Sequence, residues 1–171
     1  MISFKTFYTE AKQVGILYHY TTLERLALIL ESNILRGKPD AHHTISKYVS
    51  FTRDKHFHRG ARDSYIKKEC RLVIDGDKLS HHYKTQPYNY YNPKDYVNKP
   101  HQGAYDETEE RITGIIKDIK KYVIKVQLFE NAILYYEITN NNTLDINGKS
   151  YSTIEDYIDY LKQFGVKVEL I

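Results

Sequence analysis

Three short strings hold the residues whose types and spacing could do chemistry. They are Leu17-Tyr18-His19-Tyr20-Thr21-Thr22, Tyr48-Val49-Ser50-Phe51-Thr52-Arg53-Asp54 and Asp106-Glu107-Thr108-Glu109-Glu110-Arg111-Ile112. The first two read as strands with polar residues where a strand normally buries apolar ones. The third puts Asp106, Glu107, Glu109 and Glu110, four carboxylates within five residues, at the mouth of an apolar stretch. A carboxylate at a strand start, facing inward, can stabilise an oxocarbenium-like sugar and hydrogen-bond a 2′-hydroxyl. Glu107 and Glu109 would share one strand face, so the first could help activate an attacking nucleophile. A register shift of one residue hands the catalytic position to Glu110 instead. The His19 ring could donate to a ribose hydroxyl. With Val49 and Phe51 inward, Ser50 and Thr52 share the opposite face and could orient a catalytic Glu and a ribose. Arg53 adds a fixed cation suited to a pyrophosphate, and Arg59, Arg62 and Lys67 could add to it.

Each of these has a plain structural alternative. A lone strand His is usually structural, and Thr21 has a sufficient job as a helix cap. Two hydroxyls on one strand face can simply be solvated, as can an acidic string or a basic helix. The pairs His42-His43, His56-x-His58 and His81-His82 lack the helical spacing or Cys partners that would make a metal site specific. There is no G-x-G-x-x-G, P-loop or H-E-x-x-H. Cys70, beside Arg71, reads as a core residue rather than a nucleophile.

The elements that must position these residues follow from periodicity. Met1 to Lys12 reads as an amphipathic helix, an extension broken at Gly15. Ile16 to Tyr20 is a strand, and Thr21-x-x-Glu24 a capping box. Leu23, Leu26, Ala27, Leu30 and Ile34 then recur at helical spacing until Gly37 and Pro39. His19 therefore stands just before a helix N-terminus, where backbone N–H groups favour an anion. Lys47 to Thr52 and Arg71 to Asp75 are strands, with a helix around 61–68 between them and a turn at Asp75-Gly76-Asp77. Ser80 to Ala104 has no apolar periodicity but holds five tyrosines, as a functional or disordered loop would. Glu109 to Ile116, Tyr122 to Phe129 and Ile133 to Ile138 read as strands. Asn147-Gly148 is a hairpin turn. Ser152-x-x-Glu155 caps a last helix with Ile154, Tyr157, Ile158, Leu161 and Phe164 on one face. Gly165 ends it, and Val166 to Ile171 is a closing strand. The balance is α+β, strands dominating.

The 171 residues are most simply one domain with a real core. A net charge of +3 tolerates an anionic ligand without arguing for nucleic acid. The 17 tyrosines fit either a binding surface or AT-rich codon usage. With a single Cys the chain has no internal disulfide, which fits a reducing compartment. No run approaches the ~18 apolar residues of a membrane span, and no signal-peptide core opens the chain. A cytoplasmic protein is expected.

A strand His, then a strand Ser-x-Thr, then a Glu, in that order, resembles the ADP-ribosyltransferase superfamily, and within it the small transferase-like proteins of tailed bacteriophages. Leu17 to Thr21 looks like the family's first strand, whose polar residue contacts the nicotinamide ribose. Ser50-Phe51-Thr52 resembles the arginine-toxin branch, whereas His19 is the usual choice of the diphtheria-toxin and polymerase-like branch, so the pattern is mixed. The resemblance, over about residues 15–130, implies a split two-sheet β-sandwich with flanking helices. It also implies NAD as substrate and transfer of ADP-ribose to a host protein or nucleic acid. Glu109 takes the catalytic position and Glu107 the accessory one, with Glu110 the one-residue alternative. His19, Tyr20, Thr21, Ser50, Thr52 and Arg53 would face NAD, with Tyr65 as the nicotinamide-stacking tyrosine. The opening eleven residues look like the start of some phage head proteins, which fits action in a host cytoplasm after packaging and injection or early synthesis. The rival expectation is a non-enzymatic binding module on the same fold, using the Tyr-rich loop.

Overall fold

Most β-branched and aromatic runs of the sequence become strands, and the amphipathic segments at 23–32 and 154–162 become helices. A computed structural model describes residues 14–37, 48–53, 55, 69–88, 109–139 and 143–171. In chain order these form β1 (Ile16–Thr21), α1 (Leu23–Ser32), β2 (Ile34–Arg36), β3 (Tyr48–Thr52), β4 (Cys70–Asp75), α2 (Gly76–Ser80), β5 (Thr85–Tyr88), β6 (Glu109–Thr113) and β7 (Ile115–Lys117). A single 3₁₀ turn follows, then β8 (Val123–Leu128), α3 (Glu130–Thr139), β9 (Leu144–Ile146), β10 (Lys149–Tyr151), α4 (Ile154–Lys162) and β11 (Val168–Leu170).

Seven strands make one mixed sheet in the order β11-β8-β4-β1-β3-β6-β5; β11 runs parallel to β8 and the other pairings are antiparallel. The other four pair off as β9–β10 and β2–β7. The α+β class is as expected, but the described strands do not divide into two facing sheets. The six-residue ladder between β1 and β4 joins the two halves without a break.

One face of this sheet is the core. Leu17, Leu72, Ile74, Val126, Leu128, Val49, Phe51 and Ile112 meet Leu23, Leu26 and Leu30 of α1 and Tyr157 and Leu161 of α4 in one buried cluster. The reverse face is largely polar, with Tyr18, Tyr20, Arg71, Lys125, Gln127 and Glu169 on it. One apolar face and one polar face is the ordinary arrangement for a mainly antiparallel sheet.

The elements depart from expectation in instructive places. The cap of α1 is Thr22, one residue later than the box at Thr21, because Thr21 stays in β1 opposite Cys70. The helix ends at Asn33 in the left-handed region (φ +55°), so Ile34 starts β2 instead of continuing the helix. The last helix is likewise capped one residue late, by Thr153 in a reciprocal box with Asp156. The expected strand at 133–138 is helix α3: Ile133 is buried while Leu134 is exposed, and the N–H groups of Ala132 and Ile133 turn back to the Phe129 carbonyl. A short apolar run of this kind fits either period. The strand from 109 breaks at Gly114 (φ +91°), and Asp75-Gly76-Asp77 opens the short helix α2 instead of a simple turn. Asn147-Gly148 is the expected hairpin turn, with positive φ at both residues. The Met1–Lys12 helix, the helix at 61–68 and positions 89–104 of the Tyr-rich stretch lie outside the described residues. Among the described residues no helix is long and apolar enough to cross a membrane.

The N-terminus of α1 already has its anion. The Leu23 N–H donates to the carboxylate of buried Glu69 (2.9 Å), and Thr22 Oγ1 accepts from Arg25 N (3.3 Å). The expectation that this terminus invites an external ligand is thus met from within the chain. Glu69→Ala should lower stability by about 1–3 kcal/mol, because a buried N–H loses its charged acceptor. Urea unfolding checks this, and an unchanged midpoint would refute the capping role.

Candidate functional site

The candidate residues stand on β1, β3 and β6, which are adjacent in the sheet. Their register decides which share a face, since successive strand residues point to opposite sides. Phe51 pairs with Glu110, and Thr52 with position 109. Tyr18 pairs with Thr52, which sets His19 level with Phe51. His19, Phe51 and Glu110 therefore form one row across three strands, on the core face. Two strand spacings, about 10 Å of backbone, separate its ends. The His19 and Phe51 rings meet edge-on, 5.8 Å between centroids.

Arg53 joins this row from just beyond β3. Its Nη2 donates to Glu110 Oε1 at 2.5 Å, a charge-assisted bond. Glu110 is 2% exposed and Arg53 38% exposed, so the pair has a buried anionic end and a solvent-facing cationic end. Thr21 also lies on this face but is buried beside Cys70; its carbonyl accepts from Glu69 N at 3.1 Å.

Other candidates are on the reverse face. Tyr20 hydrogen-bonds the Lys55 carbonyl (3.0 Å) and stacks on Phe129. Ser50 and Thr52 register with Arg111 and position 109. The proposed set of His19, Tyr20, Ser50, Thr52 and Glu109 around one ligand is thus divided: His19 keeps company with Glu110, and Thr52 with position 109. Glu107 and Tyr65 lie outside the described residues. Cys70 is fully buried, and burial, together with Glu69 nearby, pushes its thiol well above its usual range, so it is a core residue. Among the described residues, no three His, Cys, Asp or Glu groups gather as a metal cluster would require.

His19 has a defined protonation pattern. Its Nδ1 lies 3.0 Å from the Ser50 carbonyl. That oxygen only accepts, so Nδ1 carries the proton and Nε2 is left as an acceptor. In the neutral ring the one N–H is thus spent on the Ser50 carbonyl. Burial lowers the His19 pKa below 6.5, the Ser50 bond opposes this, and Arg25 adds to the lowering. A lowered folded-state value means the unfolded chain binds the proton more readily. Stability from this group is complete above pH 6.5 and is lost as pH falls from there through the folded-state value. His19→Asn keeps an amide donor for Ser50 without titrating, so its stability should fall less on acidification below pH 6.5 than that of the unaltered protein. Parallel slopes in thermal melts across that range would exclude the effect.

Comparison with protein-family models, curated proteins and solved structures gives no match.

Proposed function

We propose that this protein is a mono-ADP-ribosyltransferase that cleaves NAD and transfers ADP-ribose to a host macromolecule. The observation that carries the reading is the row His19–Phe51–Glu110 with Arg53 bonded to Glu110. In an ADP-ribosyltransferase-like fold, β1, β3 and β6 would be the NAD-binding strands. The bond between C1′ of the nicotinamide ribose and nicotinamide breaks with its electron pair leaving on nicotinamide. The cation left on the sugar is stabilised by the Glu110 carboxylate. His19 Nε2 accepts from a ribose hydroxyl. The exposed side of Arg53 meets the pyrophosphate. The acceptor nucleophile bonds C1′ and loses its proton to water.

The support is chemical economy: a neutral imidazole acceptor, a buried carboxylate and a cation sit on one sheet face, the complement that a ribosyl cation with a diphosphate tail calls for. The register also gives a second arrangement, with position 109 beside Thr52 on the reverse face. The test is incubation of the purified protein with labelled NAD and a bacterial lysate, using Glu110→Gln and Glu109→Gln as controls. Label in protein or in nucleic acid, lost in one variant, supports the reading and names the acceptor class. A folded protein that releases no nicotinamide overturns it in favour of a binding module.

A further inference from the structure

We infer that Tyr20 and Arg71, on the reverse face, are positioning residues that set Arg53 against Glu110; this rests on the reading of that site given above. Arg71 stands on β4 directly opposite Tyr20 and is only 7% exposed. A buried guanidinium normally has a carboxylate beside it. Among the described residues Arg71 has none. Its Nε donates to Gln127 Oε1 (2.7 Å), and Gln127 donates in turn to Glu169 (3.0 Å). Lys125 and Lys167 each pair with Glu169 at 2.8 Å. The guanidinium carbon lies 4.8 Å from the centre of the Tyr18 ring. Arg71 is thus fixed both along its plane and over its face.

What so fixed a group holds is a backbone carbonyl. Arg71 Nη1 donates to the oxygen of Lys55 and, at 3.0 Å, to the Tyr20 hydroxyl. The Tyr20 hydroxyl donates to the same Lys55 oxygen, also at 3.0 Å. One carbonyl thus receives two donors from the reverse face of the sheet. Lys55 comes two residues after Arg53, and Arg53 is already past the end of β3. The clamp stands just past the point where ladder pairing of β3 stops. Lys55, so held, is two residues from Arg53, whose side chain bonds Glu110 on the front face. Tyr20 and Arg71 touch no reacting atom in this arrangement.

Tyr20→Phe keeps the ring on Phe129 and removes only the hydroxyl. Its kcat/KM for NAD cleavage should fall about tenfold, but less than about twofold when Arg53 is already Gln, because a residue acting through Arg53 has nothing left to act on. Independently of activity, the Nε–Hε resonance of Arg53 in nitrogen-labelled protein should shift or broaden in Tyr20→Phe. Equal losses in both backgrounds, or an unmoved Arg53 resonance in a folded variant, overturn the inference. Should Tyr20→Phe fail to fold, Arg71→Lys, which keeps the charge but not the fork, is read by the same two measures. A protein that cleaves no NAD defeats the transferase reading, while the Arg53 resonance still decides the positioning role.

Discussion

On the proposed transferase reading, Glu110→Gln is expected to reduce NAD cleavage on the order of 10²–10³-fold and to leave the fold intact. The amide keeps the shape of the carboxylate and an oxygen for Arg53, which now bonds Oε1 at 2.5 Å. On the transferase reading, what is lost is the charge that would face the developing ribosyl cation. Breaking a fully buried ion pair is severe because the partner is stranded, but Arg53 is 38% exposed and can turn to water. The stability change should therefore stay near 1 kcal/mol. Nicotinamide release and urea unfolding, measured on the same preparation, separate the two effects. Glu109→Gln completes the comparison: the variant with the larger loss marks the working face of the sheet. A larger loss at 109 would transfer the role to the row of Thr52.

The second large effect is on folding. A β-carbon at Gly76 would stand 2.4 Å from the Gly15 carbonyl oxygen and 2.9 Å from Cγ of Leu17. The Gly76 N–H donates to that same oxygen at 2.8 Å, so the two backbones cannot separate without losing the bond. The neighbouring contact is equally fixed, since Asp77 Oδ1 accepts from the N–H groups of Val14 (2.6 Å) and Gly15 (2.8 Å). Those two bonds hold the Asp77 carboxyl below its usual range. Gly76→Ala should destabilise by about 3 kcal/mol or more. Gly148→Ala is the contrasting variant: nothing lies within 4 Å of its β-carbon, and only the positive φ (+73°) penalises it, at about 1 kcal/mol. Thermal melts of the two variants should differ clearly. Similar melting temperatures would mean that the β1–α2 junction yields more easily than its contacts indicate.

Much of this arrangement was legible in the sequence, and the remainder has definite physical reasons. Alternation put Val49 and Phe51 inward with Ser50 and Thr52 on the other side, and the register agrees. The strands around residues 16–20, 48–52, 71–75 and 122–129, the Asn147-Gly148 hairpin and the apolar face of the last helix are also where periodicity puts them. Which of Glu109 and Glu110 shares a sheet face with His19 and Phe51 was not legible, because it depends on pairing across a separation of some sixty residues, and a slip of one exchanges the faces. Both helix caps fell one residue late because Thr21-Thr22 and Ser152-Thr153 each offer two competent hydroxyls, and the strand or turn before them decides which is used. Residues 133–138 form a helix although their β-branched and aromatic content favours a strand. The clamp on Lys55 had no local signature at all, since its donors come from β1 and β4.

The strand order has a consequence for synthesis. Among the described residues the first strand to leave the ribosome, β1, lies fourth of seven in the sheet. It meets no neighbour until β3 has been made, and its second edge waits for β4. The row that includes His19 is incomplete until Glu110 emerges, and β11, parallel to β8, is the last strand added to the sheet. Until β4 emerges β1 presents an unpaired edge to other nascent chains, and β3 does so until β6 emerges. Slow translation would lengthen the exposure, and the yield of folded protein should respond more to chaperone supply than the stability of the finished domain would suggest.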